Sequence, residues 1–223
     1  MSIQNNLGYI NNSIAGITTR NVTVVAVTKK HSPEEIRRAI SAGAVILGEN
    51  RVDEAQTKFI DEGLQNEFPE VKLHMIGHLQ TRKVRDAVNI FDCIQSVESE
   101  KLAREIDKRC KTVNKKIDIL IEINVSGEIQ KFGVQPDDAP LLIKNLLQLE
   151  NVNLKGLMTM APFTTDDSII RSVFSGLRKL SDSLSQQFGS EFFQILSMGM
   201  SNDYKIAVEE GSTMVRIGTA LFE

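Results

Sequence analysis

The feature that most constrains this 223-residue chain is a strict alternation of short apolar runs with longer helical patterns. Apolar runs stand at 22–28, 44–47, 72–76, 90–95, 117–125, 154–158, 194–196 and 213–217. Helical segments at 33–42, 51–62, 80–88, 98–111, 137–149, 166–187 and 202–209 separate them, after a weakly patterned opening helix at 4–16. The first run, V-T-V-V-A-V-T, shows no alternation of polar with apolar residues, so both faces of its strand are expected to be buried. The segment 98–111 carries Leu102, Ile106 and Cys110 at a spacing of four, one apolar stripe. Ser32 and Pro33 read as an N-cap and a first helical residue. Strand–helix alternation with no Pro/Gly/Ser-rich linker implies a parallel sheet and a single domain over 1–223. Eight such units are expected to close as a (β/α)8 barrel of the TIM type. An open doubly wound sheet is the alternative, and the lack of a G-x-G-x-x-G fingerprint after the first strand counts against it.

Composition narrows the function classes. A net charge of −3 supplies no global basic field, so neither nucleic acid nor an anionic membrane surface is an expected partner. No apolar run is long enough to span a bilayer. The Asn-rich residues 1–16 lack the basic and apolar regions of a signal peptide. Two cysteines, Cys93 and Cys110, are too few for a disulfide framework or metal knuckle and read as free thiols. The expected location is the cytoplasm.

In a barrel the strand ends converge on one face. Lys29, Asn50, His78, Asn124, Met160, Ser197 and Arg216 are the residues expected there. The set holds no carboxylate pair of the glycosidase kind, and His31, His74 and His78 show no metal-ligand spacing. Lys29 ends an apolar strand, and a lone buried ammonium is costly. It either snorkels to solvent, as Lys30 does, or has a chemical use. The segment 197–201 leaves the seventh strand, and R-I-G-T at 216–219 leaves the eighth. Loops after strands seven and eight of such barrels commonly bind phosphate. Gly218 would let backbone approach an anion, Thr219 adds a hydroxyl, and Ser201 is expected to cap the helix at 202–209. Each glycine alone is an ordinary turn; two such turns beside a strand that ends in lysine point to a phosphate site. A lysine there suggests a phosphorylated aldehyde held as a Schiff base. Its amine, with an ordinary pKa of about 10.4, would need burial and a neighbouring cation such as Arg216 to become nucleophilic.

Motifs across nearly the whole chain then match a known family: A-V-T-K at 26–29, G-E-N at 48–50, H-M-I-G-H-L-Q at 74–80, G-L-M-T-M at 156–160, S-M-G-M-S-N-D at 197–203 and G-S-T-M-V-R-I-G-T-A at 211–220. The chain resembles the YggS/PROSC family of pyridoxal phosphate homeostasis proteins. That resemblance implies a fold-type III barrel like the N-terminal domain of alanine racemase, without the racemase's C-terminal β-domain. It implies pyridoxal 5′-phosphate as cofactor, held as a Schiff base on Lys29. It also implies a phosphate cradle of Ser197, Ser201, Gly218 and Thr219, Arg216 against the pyridine nitrogen, Asn50 near the ring, and Met160 and Met198 among the cofactor-binding residues. Arg82 departs from the Asn that the family usually carries there, and the ending Leu221-Phe222-Glu223 departs from its usual F-G and basic tail.

Residue chemistry weighs carrier against enzyme. An arginine is effectively always charged and would keep the pyridine nitrogen unprotonated, weakening the ring as an electron sink. A racemase needs a second acid/base on the opposite face of the ring, a tyrosine in alanine racemases. Neither Tyr9 nor Tyr204 is expected in that role. The favoured reading is a monomeric, non-enzymatic carrier that regulates pyridoxal phosphate supply, with cofactor-dependent apo-enzymes as its recipients. The alternatives are a weak amino-acid racemase using Lys29 and a cofactor-free class I aldolase-like lyase.

Overall fold

The computed structural model describes residues 2–128 and 132–223. Its strands are β1 (Thr23–Val27), β2 (Ile46–Glu49), β3 (Lys72–Met75), β4 (Cys93–Val97), β5 (Ile117–Glu122), β6 (Val152–Met158), β7 (Ile195–Met200) and β8 (Met214–Ile217). Each pairs in parallel with its neighbour in sequence, and β8 returns to β1, so the sheet is a closed barrel and not an open one. The helices are α1 (Ile3–Ile17), α2 (Pro33–Ser41), α3 (Val52–Ala55), α4 (Leu64–Glu67), α5 (Val84–Ile90), α6 (Glu100–Thr112), α7 (Ala139–Leu146), α8 (Asp167–Phe188), α9 (Tyr204–Glu209) and α10 (Thr219–Phe222). Ser32 caps α2 as expected, in a reciprocal box: its hydroxyl accepts from Glu35 N while Glu35 accepts from Ser32 N. Among the described residues, no helix is long and apolar enough to cross a membrane.

Successive strand residues point to opposite faces, which sorts the chain into two interiors. Ala26, Leu47, Leu73, Met75, Ile94, Ile119, Ile121, Leu157, Leu196, Val215 and Ile217 belong to the large core between barrel and helices. The intervening residues line the lumen. A Cβ on Gly48 would meet Val25 Cγ1 at 2.9 Å and Ile76 Cδ1 at 3.1 Å across it. Cys93, Leu120 and Met158, with Ile195 against them, form a small apolar cluster inside the barrel. Above it the lumen turns polar, and the site begins there.

Three local expectations are corrected. The fourth strand starts at Cys93, because α5 still holds residue 90. The helix expected over 51–62 is α3 followed by a π-turn, Gln56–Asp61. The seventh strand runs to Met200, so 197–200 is strand and not turn; after a register shift Met200 pairs with Arg216.

Candidate functional site

The inward alternation, continued past the strand ends, carries Lys29 beyond β1, Asn50 beyond β2 and Gly218 beyond β8 on the lumen's side. β1 and β8 are paired, Val25 with Arg216 and Ala26 with Ile217, so the turn bearing Lys29 and the loop bearing Gly218 leave adjacent strands. Gly218 has φ −113°, and a Cβ there would lie 3.4 Å from Val27 Cβ, an ordinary contact. Neither crowding nor a left-handed backbone demands glycine at 218.

Arg216 is 3% exposed and organises the mouth. Its Nη1 donates to Ser197 O at 2.9 Å and Ser197 Oγ at 2.7 Å, and its Nη2 to Thr159 O at 3.0 Å. Ser197 Oγ donates to Gln95 Oε1 (2.6 Å), and Gln95 Nε2 donates to His74 Nδ1 (2.9 Å). One directional chain thus crosses the lumen from β8 to β7, β4 and β3. His74 is buried, and that burial pulls its pKa down to about 4, which suits a neutral ring accepting at Nδ1. Burial also pulls Arg216 down to about 10, with Glu122 and Asp203 acting the other way, so it remains a cation at neutral pH. Glu122, on β5, is pushed up to about 7 by burial, against the pull of Arg216 and with the help of Glu98.

Ser201 does not cap α9; Asp203 stands at that position. The Ser201 hydroxyl instead accepts from Gly218 N at 3.3 Å and Ala220 N at 3.1 Å, tying the loop after β7 to the loop after β8. Asp203 accepts from Met200 N and holds the turn between them. Thr219 is exposed at the start of α10.

Lys29 is also exposed, two residues past β1, so the burial expected to activate its amine is absent from the protein itself. Asn50 is half-buried, and its Oδ1 is enclosed without a hydrogen-bond partner among the described residues. Met160 lies in the loop beyond β6, partly exposed. The Met198 side chain packs in the helix-side core, away from the mouth, and its carbonyl accepts from Ser212 Oγ. His78 stacks on Phe132 with ring centroids 4.1 Å apart and lies 3.3 Å from Glu98, and Asn124 Nδ2 donates to Glu128 O.

Sequence reasoning passed over Gln95, Glu122 and the buried pair Glu49–Lys58. Glu49 was visible as the middle of G-E-N. Gln95 and Glu122 carried a weaker signal, polar residues inside apolar strands. Lys58 carried none, as one lysine among many on a helix.

This barrel is of the class defined by the alanine racemase N-terminal domain, whose family model matches residues 2–223. A pyridoxal phosphate homeostasis protein of Aquifex aeolicus is 40% identical over 199 residues, covering 89% of this chain and 85% of its own length. One of Pasteurella multocida is 34% identical over 228 residues, covering 100% and 97%. The chain belongs to the family of pyridoxal phosphate homeostasis proteins. Among solved structures, PipY of Synechococcus elongatus without PLP superposes with a TM-score of 0.90 at 33% identity, covering 99% of this chain and 100% of that one. The same protein with PLP bound gives 0.88 at 32% identity, with the same coverage. Alanine racemase of Clostridium difficile shares the fold, with a TM-score of 0.79 at 18% identity over 97% of this chain and 59% of the racemase.

Proposed function

We propose that this chain binds pyridoxal 5′-phosphate at the carboxyl end of its barrel and serves as a carrier that regulates supply, without turnover. The observation that carries the reading is the β1–β8 pairing, which sets the turn of Lys29 beside the loop of Gly218 and Thr219. The residues present fit the cofactor. Asn50 Oδ1 is an enclosed acceptor with no donor among the described residues. Gly218 has no Cβ to shield its backbone from an anion. Arg216 uses three of its five N–H groups on protein oxygens, leaving two.

When bound, the cofactor supplies an aldehyde that an amine can capture and a conjugated ring that can accept charge. Lys29 is the amine assigned to it, reachable because it is exposed. Ser201, the Met198 backbone, Gly218 and Thr219 are assigned to the phosphate, and Asn50 and Met160 to the flanks of the ring; Ser197, expected at the phosphate, is buried with its one hydroxyl proton given to Gln95 and braces Arg216 instead. Arg216, a cation at neutral pH, is assigned to the ring nitrogen, where it disfavours protonation and so disfavours removal of an α-proton. Tyr204 is buried in α9 and Tyr9 is exposed on α1, so neither stands ready as a second base. The name of the Aquifex relative, 40% identical over 89% of this chain, and PLP in PipY support the reading. Residues 1–223 are proposed to act as one domain, a monomer in the cytoplasm, with cofactor-dependent apo-enzymes as recipients.

Borohydride reduction of the loaded protein followed by peptide mapping should place a pyridoxyl group on Lys29. L-Amino acids in heavy water should show no α-proton exchange beyond that of free cofactor, while an added apo-enzyme gains activity. A label mainly on Lys30 removes the assignment of Lys29. Exchange at about 1 s⁻¹ or faster, an ordinary enzyme rate, makes the protein a racemase-like enzyme instead.

A further inference from the structure

The buried pair Glu49–Lys58 lies outside the residues assigned to the cofactor. Glu49 ends β2, is fully buried, and faces the helix side of the barrel. Its Oε1 accepts from Lys58 Nζ at 2.9 Å and from Thr28 Oγ1 at 2.7 Å. Lys58 Nζ also donates to the backbone carbonyl of Thr28 at 3.0 Å. That carbonyl belongs to the peptide joining Thr28 to Lys29, and it accepts from His31 N at 3.1 Å as well. The turn it closes includes Lys30 at φ +66°, a left-handed conformation that non-glycine residues seldom adopt. On its other side Glu49 leads directly to Asn50, whose backbone packs so closely on Gly77 that a Cβ there would overlap it. Lys58, braced by Glu49, thus holds the peptide from which Lys29 projects, while the peptide from which Asn50 projects is paired to Ile76 N.

Stability does not account for this arrangement. Replacing a buried ion pair by apolar residues of similar volume is often neutral or stabilising, and among the described residues Glu49 Oε2 has no hydrogen-bond partner. Lys58 is delivered by the π-turn Gln56–Asp61, a geometry that recurs at functional sites.

We propose that Glu49 and Lys58 are positioning residues for Lys29, fixing the Thr28–Lys29 peptide so that the amine meets the aldehyde in register. The inference rests on the pyridoxal phosphate reading above. In the capture, the aldehyde C=O is replaced by a C=N bond to Lys29, and the oxygen leaves as water with the two amine protons; nothing is oxidised or reduced. Glu49 and Lys58 take no part in that exchange and act only through the backbone.

The test compares wild type with the double variant Glu49→Gln/Lys58→Met, which removes both charges and keeps volume. Two ligands are used: pyridoxal 5′-phosphate, followed by absorbance, and pyridoxine 5′-phosphate, which has an alcohol in place of the aldehyde and binds without capture. Capture should slow by about tenfold or more, as misplaced reacting groups do, while the affinity for pyridoxine 5′-phosphate stays within about twofold. In the ligand-free variant the His31 amide should exchange hydrogen faster. If the double variant does not fold, Lys58→Met alone removes the donor to the Thr28 carbonyl and gives the same comparison. Unchanged capture in a folded variant overturns the proposal, as does an equal loss for both ligands. A wild-type chain that captures nothing on Lys29 overturns the pyridoxal phosphate reading and this proposal with it; wild-type capture with indifferent variants overturns the positioning role alone.

Discussion

Replacing Glu122 by Gln should change how the stability of the barrel depends on pH. A free glutamate ionises near 4.5, whereas burial in the lumen pushes Glu122 up to about 7. Between those values the unfolded chain has released a proton that the folded chain still holds. The folded state therefore binds more protons, and stability falls as pH rises through the window. The contribution is fully present below about pH 4.5 and gone above about pH 7. At about 1.36 kcal/mol for each pH unit, the loss across the window is about 3 kcal/mol. His74 works in the opposite sense, because burial pulls it from an ordinary 6.5 down to about 4, so its contribution is lost as pH falls. Absolute profiles mix the two, but His74, Glu49 and Asp203 are common to both proteins and cancel in the difference. Urea unfolding of wild type and Glu122→Gln at a series of pH values reads that difference from midpoints and slopes. Wild type should lose about 3 kcal/mol relative to the variant from pH 4.5 to 7. Parallel profiles, or a wild type that gains on the variant as pH rises, would refute the assignment of a neutral, buried Glu122 carboxyl.

Two further substitutions probe the strands that shape the mouth. Gly156→Ala puts a Cβ into the Ile195 backbone on the neighbouring β7, and should cost at least about 1–3 kcal/mol in urea unfolding; a variant as stable as wild type contradicts that packing. Ser201→Ala removes the acceptor shared by Gly218 N and Ala220 N. It should cost about 1 kcal/mol of stability and weaken pyridoxal phosphate more than pyridoxal. Equal weakening of the two vitamers takes Ser201 off the phosphate side.

The strand order was legible because each apolar run is short, rich in β-branched residues and followed by a helical pattern. Closure was legible because eight βα units leave few other parallel arrangements. Lys29 and Arg216 were legible as charges at the ends of apolar strands. The extension of β7 to Met200 was not, since S-M-G-M-S reads locally as turn and only pairing with β8 makes it strand. Ser201 looked like a helix cap because caps are local, whereas its partners lie 17 and 19 residues further on. Met198 was assigned to the mouth with its neighbours, but strand alternation turns its side chain to the helices. The contact of Lys58 with the Thr28 carbonyl was unreadable as well, because the two lie 30 positions apart and meet only once β1 and β2 pair.

The pairing of β1 with β8 also governs when the cradle can exist. One wall of it is made by β1 and the other by β8, so a growing chain carries Lys29 through the making of six intervening strands without that loop opposite. A barrel opened between β1 and β8 cannot hold the two together. Occupancy of the cradle is in this sense a certificate of a finished fold. A ligand bridging those walls would act as a clasp across the seam, slowing the peeling of the terminal strands and shielding them from proteases.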